Sequence, residues 1–359
     1  MAVLRIPKGF VIPSGAYVVK AHQIKYYDTN LAPPRAGDVM FGKVRHIGQH
    51  SSLENRSGRI HAVHNGTPAL FVYANRYAPD YYEAFVPTVA LGQADLVARS
   101  GLIGRVAAKN TNIKDPTTVE ILGHVCDEAG LHLNTVEHPR VVPKRTEKRF
   151  PRANLILVCG TSMNSGKSVA ASACCWVLST LGHRVKGSKV TGTASLKDIL
   201  HMNDAGAESY SDFSFLGYPS TYMLDRNEVV GVFETLDLKY GNNPANYWVV
   251  ELADGVNQRE TAMLLESPAV TSRIHRLVFC ANDAFGAIGG LSYLRERFSL
   301  EPDLISGLCT SSPLHIREIA AVTDIPVMDA IKVDLAAVGP LLSAARRANY
   351  APLSSQRTV

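Results

Sequence analysis

Two textures of apolar and polar positions divide the 359-residue chain near residue 140. Before that point, short β-type runs such as Ala16-Tyr17-Val18-Val19-Lys20, Asp38-Val39-Met40-Phe41-Gly42-Lys43-Val44 and Ala69-Leu70-Phe71-Val72-Tyr73 are broken by Gly, Pro and Asn. Strands at such close spacing predict a small barrel or sandwich. From Ala94 to His132 the pattern changes and predicts two helices, one of them opening at Pro116-Thr117-Thr118-Val119-Glu120. After residue 152, apolar strands alternate with helices. The strands are predicted at 155–159, 184–189, 247–252, 277–281, 304–308 and 326–328, and the helices at 166–181, 259–265, 290–297 and 314–322. That alternation predicts a doubly wound parallel sheet, which takes its ligands at the carboxyl ends of its strands. The fold class is therefore α/β, with a smaller β-rich (α+β) domain over 1–139 preceding the doubly wound domain at 153–359.

Between them, residues 140–152 read Arg-Val-Val-Pro-Lys-Arg-Thr-Glu-Lys-Arg-Phe-Pro-Arg. This basic, proline-punctuated stretch fits a solvated linker, or one that draws an anion toward the neighbouring domain. The whole chain carries a net charge of only +5, too mild to argue for nucleic acid. Its apolar runs fall short of a membrane span, and its first residues do not open a secretory signal. Six cysteines without a Cys-x-x-Cys pair fit buried thiols in a reducing compartment, so the expected location is cytoplasmic, with neither membrane nor nucleic acid as partner.

The sharpest chemical signal is Gly160-Thr161-Ser162-Met163-Asn164-Ser165-Gly166-Lys167-Ser168, placed between an apolar strand and a helix of small residues. A strand, a Gly-rich turn ending Gly-Lys-Ser and a helix make a phosphate-binding loop, or P-loop. Backbone N–H groups and the positive helix end converge on a polyphosphate, Lys167 adds a point charge, and Ser168 offers a hydroxyl to a nucleotide-bound Mg²⁺. The first glycine stands one residue earlier than in the usual pattern, at Gly160 where position 161 would be expected.

Further residues fall at predicted strand ends. Lys189, in Gly187-Ser188-Lys189-Val190-Thr191-Gly192-Thr193, is suited to neutralising a transferring phosphoryl group. Asp204 offers a carboxylate to Mg²⁺ from a turn of small residues, and Glu251 ends the apolar strand of Trp248-Val249-Val250-Glu251-Leu252-Ala253-Asp254-Gly255. Thr310, in Cys309-Thr310-Ser311-Ser312-Pro313, places a hydroxyl where a base would lie. Thr191, Thr193 and Asp254 line the expected substrate side. In the first domain, Arg59, Asn75, Arg76 and Asp80 lie in polar, aromatic-flanked loops suited to gripping a polar small molecule. His46, His50, His61 and His64 lack a zinc spacing and are read as ordinary histidines.

The second domain, over roughly 153–330, resembles dethiobiotin synthetase and its relatives, the cobyrinic acid amide synthetases. The resemblance is carried by the displaced Gly160, by Gly182-His183-Arg184 with Lys189-Val190-Thr191-Gly192, by Asp204, by Val250 to Gly255, and by Phe285-Gly286-Ala287-Ile288-Gly289-Gly290. It implies ATP and Mg²⁺ as cofactors, with Ser168, Asp204 and Glu251 holding the metal and Lys167 and Lys189 acting on the phosphates. It also implies a homodimer, and activation of a carboxylate of a small metabolite as a mixed phosphate anhydride. The chain departs from the family where no proline follows Lys189, where Leu252 and Asp254 replace small residues, and where no Asn-Asp pair is evident near Thr310. A second resemblance in layout, to P-loop proteins with an appended amino-terminal domain such as amino-acid N-acetyltransferases, implies a loop that takes a phosphate-bearing acyl carrier. The leading expectation is an ATP-dependent ligase, synthetase or small-molecule kinase. The alternative, motivated by the first domain and the linker, is a nucleotide-controlled switch or partner-binding NTPase.

Overall fold

The computed structural model describes residues 3–143 and 146–345. The chain forms two units. The first gathers the residues up to Val142 with two later segments, Gly192–Lys197 and Phe213–Met223; the second takes Pro143–Thr191, Asp198–Asp212 and the chain from Leu224 onward.

In the first unit a nine-stranded sheet closes on itself through five strands. Val39–His46 pairs with Pro68–Tyr73, then Leu102–Lys109, Gln93–Ala98 and Thr117–Cys126 follow, and the last pairs back onto the first. Closure leaves no open edge on these five strands. Inside lie Met40, Phe71, Leu96, Ile103, Val119 and Ile121, all buried.

Two expectations are corrected here. The two helices read over 94–132 do not form, and three strands take their place. Thr117, Val119 and Ile121 are buried in alternation with Thr118, Glu120 and Leu122, a period of two that outweighs the helix-start signal at Pro116. The turn between the first two strands is made by Gly101 at φ +82°, where a Cβ would lie 2.5 Å from Pro13. The run Ala16–Lys20 is also not a strand. A 3-10 turn spans Ser14–Ala16, with Gly15 donating its N–H to Ser100 O at 2.8 Å.

The second unit holds six parallel strands, numbered here β1 (Asn154–Gly160), β2 (Arg184–Lys189), β3 (Ser209–Asp212), β4 (Asn246–Glu251), β5 (Ile274–Cys280) and β6 (Leu304–Ser306). Their order across the sheet is β3-β2-β4-β1-β5-β6, and every pairing is parallel. The chain order thus reverses beside β1, the switch point where open parallel sheets bind ligands. Helix α1 (Lys167–Thr180) packs Ala170, Cys174 and Val177 against Ile156, Val158 and Val249 on one face. Helices α2 (Lys197–Asp204) and α3 (Arg226–Tyr240) follow, and α3 rests Phe233 and Tyr240 on Trp248 of β4, with ring centroids 5.3 and 6.3 Å apart. Trp248 and Val249 are adjacent on one strand and face opposite ways, so helices cover both faces. Helices α4 (Arg259–Leu265), α5 (Ala284–Phe298), α6 (Pro313–Ala320) and α7 (Leu335–Ser343) complete this layer structure.

The basic stretch is committed to contacts. Arg140 lies over the Tyr17 ring at 4.3 Å, Lys148 pairs with Glu234 at 2.8 Å, and Arg152 pairs with Asp237. Lys144 and Arg145 lie outside the described residues. Asp237 is fully buried and also receives Arg273 at 3.1 Å, so one carboxylate compensates two guanidinium groups. Asp237→Ala is therefore expected to destabilise the second unit by about 3–5 kcal/mol, because the buried Arg152 guanidinium and the half-buried Arg273 lose their counter-charge. Chemical denaturation monitored at Trp248 checks this. A change under about 1 kcal/mol, the worth of an exposed pair, contradicts it.

All six cysteines are free and buried, and burial pushes the thiols of Cys159 and Cys174 up to about 12, which makes them poor nucleophiles. No helix among the described residues is long and apolar enough to cross a membrane.

Candidate functional site

The phosphate loop bridges the carboxyl end of β1 and the amino end of α1. Its glycines are fixed by close approach. A Cβ on Gly160 would stand 2.5 Å from the carbonyl oxygen of Cys280 and 2.6 Å from Ser165 Oγ, so any other residue would push β5 away from the loop. Gly166 takes φ +95° with its Cα side packed against Gly307, and Asn164 adopts φ +60°. Neighbouring turns hold the loop in place: Thr161 N–H donates to Cys280 O (2.9 Å), Val256 N–H to Gly160 O (2.9 Å) and Leu308 N–H to Ser165 O (3.2 Å). The loop is therefore shaped before any ligand arrives. No side chain caps α1, so its amino end keeps the donors and the positive dipole end that suit an anion.

Lys167, only 5% exposed, curls back over the loop and donates to Ser162 O at 2.6 Å and Ser165 Oγ at 3.4 Å. Burial lowers its pKa, opposed by the charge of Glu251. An ammonium held in a desolvated cradle with only neutral acceptors is poised to trade them for phosphate oxygens.

Ser168 Oγ donates to Glu251 Oε1 at 2.9 Å. Glu251 ends β4, is 2% exposed, and its second oxygen, Oε2, has no hydrogen-bond partner. Burial raises its pKa, against the pull of Lys189, Lys167 and the Ser168 hydroxyl. Strand register sets Lys189 of β2 beside Glu251, with Nζ 3.9 Å from Oε1. The stronger partner of Lys189 is Asp198, in the first turn of α2. Burial acts to lower the Lys189 pKa, but Asp198 and Glu251 outweigh it and hold it above the ordinary lysine range. The lysine thus stays charged at physiological pH.

The orphaned Oε2 of Glu251, the Ser168 hydroxyl and a polyphosphate cradle beside them fit Mg²⁺, which binds through one or two protein groups plus phosphate oxygens and water. Among the described residues no three His, Cys, Asp or Glu converge on a metal position.

The other expected residues fall in different places. Asp204 closes α2 and is exposed, beside Ala205 whose carbonyl accepts from Ser179 at the far end of α1. It therefore lies toward the amino ends of the strands and is not brought to the loop, whereas Asp198, at the other end of α2, pairs with Lys189. Sequence reasoning missed Asp198 because it missed the helix. The available signal was Lys197-Asp198-Ile199 leading to Met202, an amphipathic turn with an acid at its start.

Thr191 accepts from Ala253 N–H (2.8 Å) and shapes the turn after β4, where Asp254 sits half-buried at φ +57° and adds negative charge near both lysines. Thr310 donates to Gly307 O (2.8 Å) and closes a 3-10 turn, and Ser162 Oγ accepts from Asn282 (3.0 Å). Thr193 belongs to the first unit, bridging to Ser220.

In the first unit, Asn75 is used in accepting Val86 N–H (2.9 Å). Arg76 is buried, with Nη1 3.2 Å from His50 Nε2 and its guanidinium over the Tyr81 ring at 5.2 Å. Arg59 and Asp80 are exposed. Burial together with Arg76 lowers the His50 pKa to about 4, so this histidine is neutral at physiological pH.

No family model matches the chain, and no curated protein matches it. Among solved structures it is similar to the signal recognition particle receptor FtsY of Elizabethkingia anophelis in complex with GDP, at 9% identity and a TM-score of 0.35, over 56% of this chain and 64% of that one. FtsY of Mycoplasma mycoides follows at 14% identity and a TM-score of 0.34 (55% and 70%), and chloroplast FtsY of Physcomitrella patens at 8% and 0.35 (57% and 69%). The chain thus spans just under two thirds of the first of these. At such identities and TM-scores the likeness assigns no activity.

The expected membership of the dethiobiotin synthetase and cobyrinic acid amide synthetase family does not hold: no family model and no curated protein of that family matches the chain. The ATP-dependent ligase, synthetase or small-molecule kinase rested on that resemblance and is withdrawn with it.

Proposed function

We propose that this protein is a nucleotide-controlled P-loop NTPase, in which the second unit binds a nucleoside polyphosphate with Mg²⁺ and its occupancy governs a partner-binding or switching role. The observation that carries this reading is the loop held in shape by its neighbouring turns, with the buried Lys167 donating to Ser162 O and Ser165 Oγ.

The residues divide the work by position. The loop amides and the start of α1 hold the phosphates, and Lys167 turns from Ser162 O onto them. Ser168 and Glu251 hold Mg²⁺, which neutralises phosphate charge when bound. Lys189, kept charged by Asp198 and Glu251, stabilises negative charge developing at the terminal phosphate.

Catalysis at such a site is positioning and electrostatics. A site of this kind is expected to hydrolyse slowly on its own, on the order of 10⁻⁴–10⁻² s⁻¹, the range of switch NTPases without a partner. Single-turnover hydrolysis of radiolabelled ATP and GTP by the purified protein measures this. Fast turnover that appears only on adding a small metabolite, with no protein partner, contradicts it.

A further inference from the structure

The turn from β4 into α4, residues 252–258, is tied to β1, to the phosphate loop and to the exit of β2. Leu252 N–H donates to Val158 O (2.9 Å), Ala253 N–H to Thr191 Oγ1 (2.8 Å) and Val256 N–H to Gly160 O (2.9 Å). Its far end is closed by Thr261 Oγ1, which donates to Ala253 O (2.8 Å), and by Gln258 N–H, which donates to Gly255 O (3.0 Å). A Cβ on Gly255 would stand 2.3 Å from Thr161 O, so only glycine lets the turn press this close to the loop.

Within this turn Asp254 holds φ +57°, in the left-handed region that residues with a Cβ rarely adopt. Glycine would make the same turn without that strain, so the turn alone does not call for an acid here. Side chains held in this way gather at functional sites, where surrounding contacts fix the backbone. The negative charge of Asp254 reaches both cations of the site, Lys167 and Lys189, and favours their charged forms.

Glu251 and Asp198 are committed to other work. Glu251 takes the Ser168 hydroxyl and faces Lys189, and Asp198 pairs with Lys189. Hydrolysis needs a further group, one that holds the attacking water in line with the breaking bond, on the side of the terminal phosphate away from the leaving oxygen.

We propose that Asp254 holds and orients the water that attacks the terminal phosphate. This deepens the reading above and rests on the second unit binding a nucleoside triphosphate at the loop. The carboxylate accepts a hydrogen bond from the water, whose oxygen bonds to the terminal phosphorus as the bond from phosphorus to the bridging oxygen breaks. The nucleoside diphosphate leaves with that electron pair, and both water protons leave on the inorganic phosphate. A carboxylate beside the terminal phosphate also repels it. The residue that speeds hydrolysis therefore weakens the hold on the triphosphate, the pattern of a group that acts in the transition state.

The experiment uses the full chain with Asp254→Asn and Asp254→Gly. Both replacements accept the left-handed conformation, so the unfolding midpoint is expected to be unchanged or higher. Single-turnover hydrolysis of ATP and GTP should fall by about 10–10²-fold in both variants. Affinity for Mg²⁺–ATP and Mg²⁺–GTP should be unchanged or tighter, while affinity for ADP and GDP stays within about threefold, because the repelled phosphate is the terminal one. The Mg²⁺ concentration for half-maximal hydrolysis should also stay within about threefold, since the metal's carboxylate is Glu251.

Asp254→Asn that hydrolyses at the wild-type rate overturns the proposal. So does a fall in rate that accompanies weaker triphosphate binding or a lower unfolding midpoint, which is the mark of a structural residue. A raised Mg²⁺ requirement overturns it too, by placing Asp254 on the metal. In each of these cases the wild-type chain still binds nucleotide. A wild-type chain that binds neither ATP nor GTP overturns the reading of the site itself, and this proposal with it.

Discussion

Lys167→Ala is expected to weaken nucleoside triphosphate binding at least about tenfold and to slow hydrolysis by about 10²–10³-fold, while leaving the unfolding midpoint unchanged or higher. The two halves of this expectation come from one fact. Lys167 is almost fully buried, and its partners without ligand are a backbone carbonyl and a hydroxyl. Burial lowers its pKa, so the folded state holds the proton less tightly than the unfolded chain does. The sign for stability follows: while the lysine is charged, below its folded pKa, the ammonium costs the fold free energy, and that cost fades as pH rises through the folded value. Removing it relieves the strain of a desolvated charge and removes the phosphate's principal cation. Parallel measurements of nucleotide affinity, hydrolysis and thermal unfolding check both. A variant that loses stability and keeps its affinity would make Lys167 a structural residue.

Glu251→Gln is expected to act on the metal dependence. The amide oxygen can still accept from Ser168, and the volume is kept, so the loop should hold its shape. What disappears is a negative oxygen pair facing the Ser168 hydroxyl and Lys189, one member of which has no hydrogen-bond partner. A neutral carbonyl is a weaker Mg²⁺ ligand than a carboxylate, so the Mg²⁺ concentration needed for half-maximal hydrolysis should rise at least about tenfold, with the saturated rate down about 10²-fold. Asp198 continues to hold Lys189, so the fold should be preserved. An unchanged Mg²⁺ requirement would place the metal away from Glu251.

Part of the second unit was legible because β1 and β4 are buried and read as apolar runs. The strand at 184–189, Arg-Val-Lys-Gly-Ser-Lys, is no such run, yet it and the helix at 259–265 came out with their observed bounds. The turn between β1 and α1 stood out in the sequence for a different reason: phosphate-loop chemistry needs a fixed order of glycines, lysine and hydroxyl within nine residues, and Gly160 to Ser168 carry that order. What was hidden is non-local. The strands Gln93–Ala98, Leu102–Lys109 and Thr117–Cys126 owe their form to closing a barrel with residues far along the chain, and tertiary pairing overrode the local helix signal. Asp204 was read as a metal carboxylate because a turn of small residues is visible in a sequence, whereas which end of a short helix faces a sheet's carboxyl edge is not.

The most direct test is calorimetric titration of the full chain with Mg²⁺–ATP and Mg²⁺–GTP, repeated with EDTA and with Lys167→Ala. Binding of at least one nucleotide at one site per chain, weakened by EDTA and by the substitution, is the expected result. No binding of either nucleotide, or binding that Lys167→Ala leaves intact, would contradict a phosphate loop at Gly160 to Ser168.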